Sequence, residues 1–121
     1  MILVDSSVWI EHLRVGRPEL DSLLEDGLVH CHPFVIGELA CGTLRRREEF
    51  LDHLNQLPSL DDVEHHEAMR LLTIHRLAGS GIDWIDVHLL ASVLIAGAQL
   101  WTLDKRLAGA ARSLRVAADV P

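Results

Sequence analysis

With 121 residues, 49% of them apolar, and a positive mean hydropathy, the chain is long enough for one well-buried domain and too short for two. Its 18 acidic against 11 basic residues, a formal net charge of −7, argue against a protein that grips nucleic acid by bulk charge alone. The lack of tyrosine and the scarcity of phenylalanine argue against a base-stacking surface of the single-strand-binding type, and no apolar run approaches the ~20 residues of a membrane span.

Ile2 to Asp5 reads as a short buried strand. No basic segment precedes it, so it does not read as a signal peptide, and a cytoplasmic protein is expected. Asp5-Ser6-Ser7 starts a helix carrying Val8, Trp9, Ile10 and Leu13 at helical spacing. Gly16-Arg17-Pro18 breaks the chain. Pro18 then opens a short helix with Leu20, Leu23 and Leu24 on its apolar face, closed by Gly27. Leu28 to His32 alternates as a second strand, and a helix from Phe34 to Thr43 follows Pro33. Arg45 to Gln56 is amphipathic, with Phe50, Leu51, Leu54 and Leu57 inward. After the Pro58-Ser59 turn, Leu60 to Val63 is strand or loop.

Glu64 to Leu77 is helical, with Ala68, Leu71, Leu72 and His75 turned inward, and Gly79-Ser80-Gly81 interrupts it. The nearly all-apolar Ile85 to Gly97 is expected to be the central helix. Leu100 to Leu103 forms a strand, Lys105 to Arg112 a helix, and Leu114 to Ala117 a last strand. Alternating strands and helices imply an α/β sandwich with a mostly parallel sheet flanked by helices. Cys31 and Cys41 are too few for a disulfide scaffold and read as free, packed thiols.

Four acids stand where acids are otherwise unwelcome. Asp5 ends Ile2-Leu3-Val4; Glu38 interrupts an apolar helix; Asp86 opens the most apolar helix; Asp104 ends Leu100-Trp101-Thr102-Leu103. Unpaired carboxylates in apolar surroundings cost several kcal/mol or change their pKa. In a parallel sheet, ligands gather at the carboxyl ends of strands, where Asp5 and Asp104 both fall. Asp5, Asp86 and Asp104 each have a plainer role as caps or first-turn charges, worth ~1 kcal/mol apiece. Glu38 caps nothing, and its helical stripe with Phe34, Val35, Cys41 and Gly42 is expected to face the core. One hard cation shared by all four explains them together. Oxygen-only ligands select Mg²⁺ or Mn²⁺, which points to metal-assisted phosphodiester hydrolysis.

In order and spacing, Val4-Asp5-Ser6-Ser7-Val8-Trp9, Ile36-Gly37-Glu38-Leu39, Trp84 to Ser92 and Trp101 to Leu107 resemble a PIN-domain ribonuclease, specifically a VapC-type toxin of a type II toxin–antitoxin system. The resemblance spans nearly the whole chain and implies one PIN-like domain over residues 1–121, a three-layer sandwich. It implies that Asp5, Glu38, Asp86 and Asp104 hold Mg²⁺ or Mn²⁺ and position water for RNA cleavage. Ser6 and Thr102 match polar positions that support these acids or a metal-bound water. It further implies a homodimer, a cognate small antitoxin, and an RNA substrate, possibly structured such as tRNA or rRNA. Arg45, Arg46, Arg47 and Arg106 are the candidate contacts to RNA phosphates, since arginine suits bidentate phosphate pairing. Many family members are neutral where Asp83 stands here, so Asp83 is expected to be an exposed loop acid.

Other constellations are weaker. A zinc site at His30 and His32 has no second ligand pair to complete it. His65 and His66 are expected on a surface helix start, and His88 on a different helix face from Asp86. Trp9, Trp84 and Trp101 are expected as core aromatics. A phosphoacceptor module of the response-regulator type needs an acid pair after the first strand and a late lysine; here Ser6-Ser7 follow Asp5, and Lys105, the single lysine, comes directly after Asp104. A haloacid-dehalogenase-type phosphatase needs a second acid where Ser7 stands.

Overall fold

A computed structural model describes residues 1–120. Strand β1 (Ile2–Val4) lies between β2 (Val29–His30) and β3 (Gln99–Trp101), and both pairings are parallel. The register sets Ile2 beside Val29 and Gln99, and Val4 beside Trp101. Single parallel bridges extend the sheet at both edges: Cys31 with Ser59, and Leu100 with Ala117. Leu60–Val63, read as strand or loop, is loop, the bridge lying just before it at Ser59, and the expected Leu114–Ala117 strand shrinks to the single bridge at Ala117.

Helices α1 (Ser6–Val15), α2 (Pro18–Glu25), α3 (Pro33–Cys41), α4 (Arg47–Gln56), α5 (His65–Ile74), α6 (Trp84–Ala96) and α7 (Lys105–Ser113) surround the sheet. The expected central helix is central: Val87 to Val93 are seven consecutive buried residues, so α6 is covered on every side. Truncating Leu89 or Leu90, both fully buried, would leave a cavity of the kind that costs about 2–5 kcal/mol.

Helix ends explain where sequence boundaries slipped. Four helices close the same way, with the amide two beyond the cap bonding the carbonyl three residues inside it: Leu28 N–H to Leu23 O, Leu77 N–H to Leu72 O, Ala98 N–H to Val93 O, and Val116 N–H to Ala111 O. The left-handed residue is glycine at Gly27 and Gly97, but arginine at Arg76 (φ 53°) and Arg115 (φ 60°). Arginine at such a position costs roughly 1–2 kcal/mol and carries no sequence signal for a stop. Helix α5 therefore ends at Ile74, and His75, expected inward, is exposed.

Two further expectations are corrected. Cys41 is exposed at the end of α3, whereas Cys31 is fully buried and its thiol is pushed up to about 11 by desolvation. An alkylating reagent near pH 8 is expected to label Cys41 in the native protein and Cys31 only after unfolding; equal rates would contradict this packing. Trp84 is 39% exposed, not core, whereas Trp9 and Trp101 are each 4% exposed. The zinc site already set aside at His30 and His32 finds no free ring at His32. His32 is wholly buried and its ring is fully engaged: Nδ1 accepts from the Phe34 amide at 3.0 Å, and Nε2 faces the Ser92 hydroxyl at 2.9 Å.

His88 is likewise buried, with Nδ1 2.8 Å from Asp62 Oδ1; the same oxygen lies 3.3 Å from His32 Nε2. Burial lowers the His32 pKa and Asp62 pulls it partly back. Burial raises Asp62, but the His88 hydrogen bond, the Val63 amide and the charges of His88 and His32 together outweigh it and hold the carboxyl below its usual value. A carboxyl lowered by folding stabilises above its unfolded pKa, and that stability is lost as pH falls through the folded value. Asp62→Asn is therefore expected to cost about 1–2 kcal/mol at pH 7, with the gap to the parent closing in strong acid. Urea unfolding at pH 7 and pH 3 measures both.

Candidate active site

Because all three strands are parallel, their carboxyl ends open on one edge, where Asp5 directly follows β1 and Asp104 comes three residues after β3. The Asp5 amide bonds the Trp101 carbonyl at 2.9 Å, continuing the ladder to the last strand residue. Asp5 is 5% exposed and is not a side-chain cap for α1. Its Oδ2 accepts from Ser7 Oγ at 2.8 Å and Thr102 Oγ1 at 2.7 Å. Each hydroxyl is itself fixed by a backbone amide: Leu103 N–H donates to Ser7 and Asp104 N–H to Thr102. Asp5 Oδ2 is thus saturated and Oδ1 has no hydrogen-bond partner among the described residues.

Asp83 and Asp86 cap α6 reciprocally. The Asp86 amide donates to Asp83 Oδ1 at 2.8 Å, and the Asp83 amide donates to Asp86 Oδ2 at 3.1 Å. Asp104 caps α7, its Oδ1 accepting from the Arg106 and Leu107 amides at 2.9 and 3.0 Å. Capping and site-building are therefore not alternatives. Each of these aspartates uses one oxygen to hold its helix start and turns the other free.

Glu38 corrects the expectation that its helix face points to the core. Val35 and Leu39 are buried, whereas Glu38, Cys41 and Gly42 are exposed. Ser6 Oγ donates to Glu38 Oε1 at 3.4 Å, bringing the middle of α3 to the start of α1. Desolvation raises the Glu38 pKa, and the charges of Asp5 and Asp83 raise it further against the opposing Ser6 hydrogen bond. Desolvation pushes Asp86 up to about 6; the capping hydrogen bond opposes this, and Asp83, Asp5 and Asp104 add to it. Asp5, Glu38, Asp83, Asp86 and Asp104 therefore share one electrostatic field.

Of the two supporting hydroxyls expected from sequence, Thr102 lies on Asp5, while Ser6 serves Glu38. Ser7 was missed. Its signal is the Asp-x-Ser spacing at a helix start, which places a hydroxyl back on the preceding acid. Asp83 is exposed as expected, yet it is also the α6 cap. Arg45, Arg46 and Arg47 lie at the turn from α3 to α4, seven to nine residues beyond Glu38, with Arg47 reaching the Gly42 carbonyl at 3.5 Å. Arg106 lies against Gly81, whose left-handed backbone (φ 89°) leaves room that a Cβ would fill at 2.6 Å from the arginine stem. Arg106 thus borders the acids, whereas the triplet sits farther along the α3 side.

The donor set is all carboxylate and hydroxyl oxygen, the chemistry of a hard divalent cation. Among the described residues no three His, Cys, Asp or Glu side chains are grouped tightly enough to hold an ion outright. The oxygens of Asp5, Asp86, Asp104 and Glu38 left without hydrogen bonds are of the kind such a cation takes.

Comparisons with known proteins agree with this architecture. The family model described as PIN domain matches residues 2–113. Ribonuclease VapC32 of Mycobacterium tuberculosis, in strains CDC 1551 and H37Rv, is 49% identical over 118 residues, covering 97% of this chain and 95% of the relative. The crystal structure of PAE2754 from Pyrobaculum aerophilum superposes with a TM-score of 0.69 at 17% identity, over 97% of this chain and 87% of that one, a likeness of fold. With its parallel sheet, strand-end acids and near-full-length relatives, this chain belongs to the PIN domain family, in its VapC-type branch.

Proposed function

We propose that this chain is a metal-dependent endoribonuclease that hydrolyses RNA phosphodiester bonds, acting in the cytoplasm as the toxin of a toxin–antitoxin pair. The observation that carries the reading is the shared field of Asp5, Glu38, Asp86 and Asp104 at the strand ends, with Asp5 buried and fixed by two hydroxyls. Asp5, Asp86, Asp104 and Glu38 would hold Mg²⁺ or Mn²⁺; when bound, such an ion activates water and offsets charge developing on the phosphate oxygens.

The chain's own residues divide the remaining work. Ser7 and Thr102 hold Asp5 through Oδ2 and leave Oδ1 without a hydrogen bond. Asp86, with a pKa of about 6, can hold a proton near neutrality and release it as positive charge arrives. Glu38, exposed and reached by Ser6, orients water from the α3 side. Arg106 at the cleft edge, and Arg45, Arg46 and Arg47 farther out, meet the RNA backbone. A small antitoxin would silence the site by presenting a cationic side chain to the acids, and the active form would be a homodimer acting on a structured RNA such as tRNA or rRNA.

Incubating purified, antitoxin-free protein with total cellular RNA tests the reading. Cuts at discrete sites with Mg²⁺ or Mn²⁺, absent in chelator, are expected. Failure to cut with either metal, by protein shown to be folded, would remove it.

A further inference from the structure

The VapC-type reading leaves one exposed feature beside the acids unused. Trp84 occupies the first turn of α6, between Asp83, which caps the helix, and Asp86. Its indole is the outward end of a ladder of rings. Its centroid lies 4.8 Å from His88 in an edge-to-face arrangement; His88 lies 5.0 Å from Phe34, and Phe34 lies 5.3 Å from the buried His32. His65, at the start of α5, flanks the indole at 5.2 Å. Asp62 pins His88 at 2.8 Å, so the ladder is anchored by a charge-assisted hydrogen bond as well as by packing.

Trp84 is 39% exposed on the helix start that carries Asp83 and Asp86, and its neighbours hold it as a rigid aromatic face. The surroundings favour a nucleobase. A net charge of −7 gives RNA no bulk electrostatic attraction beyond the local arginines, so a contact that does not depend on charge adds affinity they cannot supply. Stacking on an aromatic face is independent of charge and sequence-tolerant. A ring already held by its neighbours also loses little freedom on binding. Trp84 and Asp86 are two residues apart, which turns them roughly 200° from one another around the helix. The stacked base therefore belongs to a nucleotide flanking the scissile bond, not to the one being attacked.

We propose that Trp84, flanked by His65 and backed by His88, is a stacking platform that positions a base of the RNA substrate at the start of α6, around the helix from Asp86. Trp84 is a positioning residue, and the proposal rests on the nuclease reading for its substrate. Tryptophan emission gives a direct readout, because Trp9 and Trp101 are buried and Trp84 faces solvent. In chelator, where no cleavage occurs, a single-stranded RNA octamer is expected to quench that emission. The same octamer with abasic sites is expected not to. Trp84→Ala should lose the quench and bind roughly tenfold more weakly, in the range of one stacked base. Trp84→Phe should restore most of the affinity. With metal, the loss should fall on KM more than on kcat. If Trp84→Ala does not fold, Trp84→Leu keeps apolar bulk without an aromatic plane and should show the same loss.

Unchanged affinity in Trp84→Ala or Trp84→Leu would overturn the platform, as would equal quenching by the abasic strand. So would an emission change that follows protein concentration without RNA, since the ring would then face a second copy of the chain. The two readings fail separately. Quenching by RNA without cleavage under any metal removes the nuclease and keeps the platform; metal-dependent cleavage without quenching removes the platform alone.

Discussion

Asp5→Asn is expected to lower RNA cleavage by at least about a thousandfold while leaving the protein folded, a loss on the scale seen when one preorganised electrostatic group is removed from a site. The substitution keeps the shape of the side chain, and its amide oxygen can still accept from Ser7 and Thr102. What disappears is the negative charge at the buried end of β1. The core beneath, Leu3 and Val4, is untouched, so the melting temperature should change by only a few degrees. Two assays run together decide the matter: cleavage of a defined RNA with Mn²⁺, and a thermal melt. Full activity in a folded Asp5→Asn protein would show that the charge of Asp5 plays no part in cleavage. Ser7→Ala provides a graded companion. It removes one of the two hydroxyls on Asp5 Oδ2 and should reduce activity less, because Thr102 still holds the carboxylate.

The second large effect is on stability. Saturating metal-free protein with Mg²⁺ or Mn²⁺ is expected to raise its melting temperature by on the order of 10 °C, which corresponds to ligand at about a hundredfold over its Kd. The pH dependence has a definite sign. Asp86 is raised to about 6, so the metal-free fold binds this proton more tightly than the unfolded chain does. Its ionisation therefore lowers metal-free stability as pH rises from about 4 through 6, the reverse of the Asp62 contribution. A cation binds the ionised form and competes with the proton. The metal-induced rise should thus be full at pH 7.5 and shrink below pH 6. Melts with and without metal at pH 5 and 7.5 test this. Asp86→Asn should show a small rise at both values. An equally large rise in that variant would place the cation elsewhere.

Much of the site was legible before any coordinates. An acid directly after Ile2-Leu3-Val4, and another after Leu100-Trp101-Thr102-Leu103, mark strand ends, because period and composition reveal a short buried strand and its polar stop. Asp86 at the head of the most apolar helix was equally visible. The reason given for Glu38 was wrong. Its stripe of Phe34, Val35, Cys41 and Gly42 was expected to face the core, yet half of that stripe is open. The acid is accounted for by the neighbouring Ser6 and Asp5, which lie more than thirty residues away in the chain.

What sequence alone determined is the local chemistry: which segments are strand or helix, which acids stand at their ends, and that oxygen donors of this kind suit a hard cation. These follow from periodicity and side-chain type, which are properties of near neighbours. Tertiary structure decided the rest. It set Ser7 rather than Ser6 on Asp5, closed α5 and α7 on left-handed arginines, and left Cys41 in solvent while burying Cys31. It paired His32 and His88 through Asp62, and turned Trp84 outward although its composition reads as core. Each of these depends on what packs against a residue from a distant part of the chain. Burial and partnership are pairwise properties across the fold, and a linear sequence specifies only one member of each pair at a time.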